Sequence, residues 1–79
     1  MIEAIAQVLN ALQELLEDTG LPKNARQKIE RIVRELSKGK SNMEISKAIQ
    51  ELEEIGEDMN LQSYMRTQLF NLVNLLESV

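Results

Sequence analysis

Two groups of side chains in this sequence could do chemistry. Glu53, Glu54, Glu57 and Asp58 place four acids within six residues, the kind of cluster that can hold a hard divalent cation or act as acid and base. Lys23, Lys28, Arg31, Arg34 and Lys38 recur along a second stretch and could neutralise several phosphates or meet an acidic protein. Cys and His are absent, which removes disulfides, thiol and imidazole catalysis and the usual structural zinc sites. No D-x-D-x-D-G loop, nucleophile motif or phosphate-cradling glycine loop accompanies the acids. They therefore read as a solvated face with Glu54 and Asp58 at i, i+4, and the chain as a non-enzyme with no catalytic residue, metal or cofactor.

The basic set is the stronger binding candidate. It belongs to a central block, residues 23–40, of net charge +5, between residues 1–22 at −4 and residues 41–79 at −5. Nucleic acid is disfavoured by an overall pI near 4.8 and by the lack of aromatic residues among the bases for stacking. The plain alternative is a solvated face, or one turned toward the acids of its neighbours.

Seventy-nine residues make one domain, expected to span 1–79. With one Pro, three Gly, one Tyr, one Phe and no Trp, the composition argues for an all-α fold. The first helix is expected from Ile2 to Asp18, with Ile5, Val8, Leu9, Leu12, Leu15 and Leu16 on one face. Gly20 fits the left-handed residue that closes a helix, and Pro22 presets φ for the first turn of the next. The second helix runs to Lys38 with Ala25, Ile29, Ile32, Val33 and Leu36 inward, and Gly39 ends it. Ser41 and Glu44 form a capping box before a third helix reaching Asp58, where Asn60 takes the closing role of Gly20. Gly56 should weaken the last turn of that helix by roughly 1 kcal/mol relative to alanine.

The chain is a hairpin written twice, with units 2–38 and 42–78. Offset by 40 residues it gives nine identities, among them Leu12/Leu52, Asp18/Asp58, Leu21/Leu61, Arg26/Arg66 and Leu36/Leu76. A period near 40 with two helices per unit is HEAT-like. Two units are too few for an open solenoid, so the expected architecture is two tandem helical hairpins packed as a four-helix bundle. Asp18 and Asp58 stand where a helix dipole favours cations. Arg26 and Arg66 are expected to compensate them as structural turn pairs, reaching back to the acids or to the carbonyls that close the first and third helices.

The stretches Glu17-Asp18-Thr19-Gly20-Leu21-Pro22-Lys23-Asn24-Ala25-Arg26 and Ile55-Gly56-Glu57-Asp58-Met59-Asn60-Leu61, with Met65-Arg66-Thr67, resemble a small archaeal family catalogued as uncharacterised protein family number 0147. The resemblance covers nearly the whole chain. It implies an archaeal source and a short, all-α, cytoplasmic protein, and it carries no activity or functional residue. The chain departs from the family pattern at Gln62, where a proline is usual, and at Phe70, where a tryptophan is usual.

The fourth helix, about Leu61 to Ser78, differs from the others. Residues 67–76 carry no charge, and Tyr64, Phe70 and Leu75 fall outside the inner stripe of Met65, Leu69, Leu72, Val73 and Leu76. Tyr64, Asn71 and Leu75 lie within about 40° of one another on a helical wheel. They form the candidate surface for self-association into a homodimer. An acid at Glu3 and the lack of an apolar run of 18 residues give no sign of a leader or a membrane span, and the expected location is the cytoplasm. The leading expectation is therefore a small structural or protein-interaction protein, with an accessory nucleic-acid or ribonucleoprotein factor as the alternative.

Overall fold

The computed structural model of the chain describes residues 2–39 and 41–78. Lys40, counted in the central basic block, lies outside the described residues. Four helices follow one another: α1 (Ile2–Leu16), α2 (Lys23–Lys38), α3 (Asn42–Gly56) and α4 (Ser63–Glu77). Each packs on its neighbours in the chain, and α4 returns to pack on α1, while the diagonal pairs α1/α3 and α2/α4 make no close backbone contact. The all-α, four-helix bundle read from the periodicity is the fold. Corresponding helices of the two hairpins occupy the diagonals, so a rotation about the bundle axis relates the hairpins, not a translation along a solenoid.

The core is built from the repeated positions. Leu12 and Leu52, Ile29 and Leu69, and Ile32 and Leu72 are all buried, with Leu36 and Leu76 below them in the same stripes. Leu21 and Leu61 add one apolar plug each at the end where both hairpin corners lie. Leu9, Leu16 and Val33, expected inside, are only partly buried and, like Ile49 of α3, pack on the margin of the core.

The corners differ from expectation in how they close. α1 and α3 stop at Leu16 and Gly56, two residues before Asp18 and Asp58. Neither Gly20 nor Asn60 adopts the left-handed conformation, since no described residue has positive φ. Instead Asp18 Oδ1 accepts from Gly20 N at 2.8 Å and Asp58 Oδ1 from Asn60 N at 2.9 Å. The backbone turns back as Leu21 N bonds Asp18 O at 3.2 Å and Leu61 N bonds Asp58 O at 3.1 Å. An aspartate that satisfies the amide two residues on replaces a helical bond with a turn, and so ends the helix early.

Pro22 stands just before α2 as its cap, not within its first turn, at φ −61° and ψ 149°. Gln62 takes the same place before α4 at φ −68° and ψ 149°, so the second corner reaches proline geometry without proline. Gly56 is a buried close-packing point: a Cβ there would sit 3.4 Å from the ring of Phe70. At the opposite end, Ser41 N donates to Glu44 Oε1 at 3.1 Å and the Ser41 hydroxyl also turns to that carboxylate, which begins α3. These bonds hold the Glu44 carboxyl below its ordinary range.

Candidate functional site

The turn residues serve the fold. Arg26 donates through Nη1 to Leu16 O and through Nη2 to Asp18 O at 3.1 Å. Arg66 donates to Gly56 O at 2.8 Å, Asp58 O at 3.0 Å and Leu61 O at 3.3 Å. Each guanidinium group thus reaches the last carbonyl of a helix, Leu16 O or Gly56 O, together with carbonyls of the turn that follows, and neither forms an ion pair with the aspartate side chain among the described residues. Of the two partners the sequence left open, the carbonyls are the ones engaged.

The first corner has an extra bond. Tyr64, at the start of α4, donates its hydroxyl to Asp18 Oδ2 at 2.5 Å and so ties α4 to α1. That hydrogen bond, then the Gly20 amide and then the charge of Arg26, holds the Asp18 carboxyl below its ordinary range, while the carboxylate pushes the Tyr64 phenol up. The two residues are 46 apart in the chain, and nothing in the local pattern joins them. At the second corner Asn24 stands in the position of Tyr64, and it makes no such bond to Asp58 among the described residues.

Below the Tyr64–Asp18 bond a groove of about 260 Å³ runs between α1 and α4, with Ala11, Leu15 and Leu72 as its floor and Glu14, Gln68 and Asn71 on its rim. Tyr64 and Asn71 of the candidate self-association set border this groove, whereas Leu75 is partly buried against the core. Phe70 lies on the other flank of α4, 45% exposed over Gly56. Met43 and Met59, 80% and 94% exposed, are large apolar residues that the stripe pattern passes over because they lie at helix ends and turns.

The basic candidates divide. Lys23, Arg31, Arg34 and Lys38 are exposed on α2, and Lys28 is half-buried at its α3 flank. None of the five forms an ion pair among the described residues; the one pair runs from Lys47 of α3 to Glu35 of α2 at 3.3 Å. On α3 Glu51 Oε1 is enclosed without a hydrogen-bond partner among the described residues. A second cleft of about 250 Å³ lies toward the Ser41 end, lined by Glu35, Lys38, Met43, Glu44 and Lys47. Glu53, Glu54 and Glu57 are exposed and the Asp58 carboxylate serves its own turn. Among the described residues no group of three or more acids, histidines or cysteines is placed to hold a metal ion. Nor is any helix there long and apolar enough to cross a membrane.

The chain matches the uncharacterised protein family UPF0147 over residues 1–79. A UPF0147 protein of the archaeon Sulfurisphaera tokodaii is 32% identical over 77 residues, covering 95% of this chain and 86% of that relative. One from Archaeoglobus fulgidus is 31% identical over 78 residues, covering 98% and 90%. A crystal structure described as that of the unknown function protein MMP1188 superposes with a TM-score of 0.88 at 29% identity, covering 99% of this chain and 91% of that one. The chain belongs to the UPF0147 family.

Proposed function

We propose that this chain, a member of the uncharacterised family UPF0147, is a small non-enzymatic interaction protein that pairs with a second copy of itself through the outer face of α4. The observation that carries this reading is the composition of that face. Charged residues make up 28% of the chain, yet on α4 the exposed positions from Ser63 to Asn74 (Ser63, Tyr64, Thr67, Gln68, Phe70, Asn71 and Asn74) carry no charge, and Glu77 is the one exposed charge, at the helix end. Two of them are half-exposed aromatics. Charge depletion with aromatic enrichment marks the centre of a protein interface.

A second copy is the occupant that the charges favour. A twofold contact sets a patch against itself. Exposed on α1 are Glu3 and Glu14, with Glu17 just past its end; on α2 Lys23, Arg31, Arg34 and Lys38; and on α3 Glu53 and Glu54, with Glu57 just past its end. Each of those would meet its own charge in a copy, whereas on α4 the one exposed charge is Glu77, at its C-terminal end. Sedimentation should give a homodimer, and Asn71→Glu, at an exposed position, should give a folded monomer with unchanged helical circular dichroism. A monomeric wild type at high micromolar concentration overturns the reading. Leu75→Glu is the poorer probe, because Leu75 also packs on the core.

The second reading is a contact between α2 and an acidic partner, either an acidic protein or a nucleic acid. It is supported by bases that have no ion-pair partner among the described residues, on the helix diagonal to α4. Its signature is binding at low salt that disappears in a variant with Lys28, Arg31 and Arg34 reversed in charge. No binding to RNA, DNA or an acidic peptide at low ionic strength removes it.

A further inference from the structure

We infer that the groove between α1 and α4 is completed by Phe70 of a second copy, in a dimer whose twofold axis runs parallel to the helices. This rests on the self-association proposed above and assigns it a geometry. α4 has two unlike flanks. The α1 flank carries the groove, whose floor is Ala11, Leu15 and Leu72 and whose α4 wall includes Gln68 and Asn71. The α3 flank carries Phe70, whose ring rests on Gly56 and keeps 45% of its surface exposed.

Symmetry decides which flanks meet. A twofold axis parallel to the helices keeps each residue at its own height and exchanges the flanks. A twofold axis lying across the helices reverses the heights and keeps the flanks. The parallel axis therefore brings each Phe70 to the groove flank of the other copy, level with Gln68 and Asn71, and does so twice. The transverse axis faces groove to groove and Phe70 flank to Phe70 flank, leaving both grooves unfilled by an aromatic ring. Interface centres pack as densely as protein interiors, which favours the arrangement that covers both. Ala11 is what leaves the space open, since its counterpart in the other hairpin is the longer Glu51.

Because the sequence contains no cysteine, single cysteines report the arrangement directly. A mixture of Phe70→Cys and Gln68→Cys chains should oxidise mainly to the mixed disulfide, with Phe70→Cys alone crosslinking poorly. Ready crosslinking of Phe70→Cys to itself indicates the transverse axis and overturns the inference, as does a dimeric wild type whose variants crosslink in neither combination. Ala11→Met, which fills the groove from within, should weaken dimerisation by on the order of tenfold, the equivalent of about 1.4 kcal/mol, while leaving the helical signal intact. A dimer unaffected by Ala11→Met overturns the groove contact and leaves self-association standing. A monomeric wild type overturns both.

Discussion

The seam between α2 and α3 and the seam between α1 and α4 occupy corresponding positions of the two hairpins, and they are finished with opposite chemistry. Where Lys47 pairs with Glu35 across the first, the repeat places Gln7 and Leu75 across the second. Where Ala11, Gln68 and Asn71 border the groove at the α1/α4 seam, their counterparts 40 residues away in the repeat are Glu51, Lys28 and Arg31. The backbone corners that end these seams match nearly bond for bond. The difference thus resides in side chains laid over one backbone design. An ion pair ties one seam together, whereas the α4 wall of the other carries the neutral Gln68 and Asn71, with charge only at Glu14 and Asp18 of the α1 side.

The largest expected effects come from the core beneath the two seams. Leu12→Ala and Leu52→Ala remove corresponding, fully buried side chains, and each should cost about 2–5 kcal/mol in urea unfolding. The cost of a cavity depends on how far its surroundings collapse. Leu12 follows Ala11, which lines the open groove, so its variant should fall at the lower end and that of Leu52 at the upper. Equal costs would show that the groove does not loosen the packing below it.

Next come the arginine anchors, which test whether the corners are equal in energy as well as in geometry. Arg26→Ala and Arg66→Ala each strip charge-assisted bonds from half-buried carbonyls and should cost about 2 kcal/mol. Arg66, with three carbonyl partners against two, should cost the more. Lysine should not rescue either site, because one ammonium cannot reproduce the spread of a guanidinium fork. Thermal melts check this, since roughly 4–8 °C of Tm accompanies each kcal/mol at this size. A much larger loss at Arg26 would mean that the first corner carries the fold.

What could be read in advance followed periodic and local chemistry. The stripes gave the helices, the 40-residue offset gave the hairpins, and acids misplaced at a helix C-terminus called for the arginines. The left-handed closure at Gly20 and Asn60 was misread because glycine and asparagine suit that conformation and an aspartate-led turn equally well. The side chains of Asp18 and Asp58 decide for the turn. The packing of the Phe70 ring beside Gly56, 3.4 Å from where a Cβ would sit, requires knowing how α3 and α4 face. The Tyr64–Asp18 bond and the groove depend on α4 closing against α1, and no spacing within either helix encodes that.

A smaller effect distinguishes the corners through their caps. Gln62 already holds φ at −68°, close to the −61° of Pro22, and its amide donates no backbone hydrogen bond among the described residues. Gln62→Pro should therefore stabilise the fold by about 0.4–1 kcal/mol by restricting the unfolded chain. Its side-chain amide lies near Gly20, where an added Cβ would sit 3.0 Å from it. If that contact matters to the joining of the corners, the gain will be smaller than the entropy argument allows. Chemical denaturation of the single variant decides between the two.

The finest test concerns the one hydrogen bond that the first corner has beyond the second. Tyr64→Phe removes the leading cause that holds Asp18 below its ordinary range, so the carboxyl should titrate closer to its reference value of 3.8. A carboxyl depressed in the folded state contributes stability that is present above its unfolded pKa and is lost as pH falls through the folded value. The wild type should thus be the more stable protein at neutral pH, and the two should converge as Asp18 protonates. The raised Tyr64 phenol sets the other limit: its contribution is present below the ordinary tyrosine pKa and is lost as pH rises through the folded value. Carboxyl carbon NMR across the acid range follows Asp18 in both proteins. An unchanged Asp18 titration in Tyr64→Phe would assign the depression to the Gly20 amide, whose counterpart at the second corner is the Asn60 amide. In that case the tyrosine bond would tie α4 to α1 without setting the charge of the first corner, and the asymmetry that matters between the hairpins would lie below the corners, at Ala11 and Glu51.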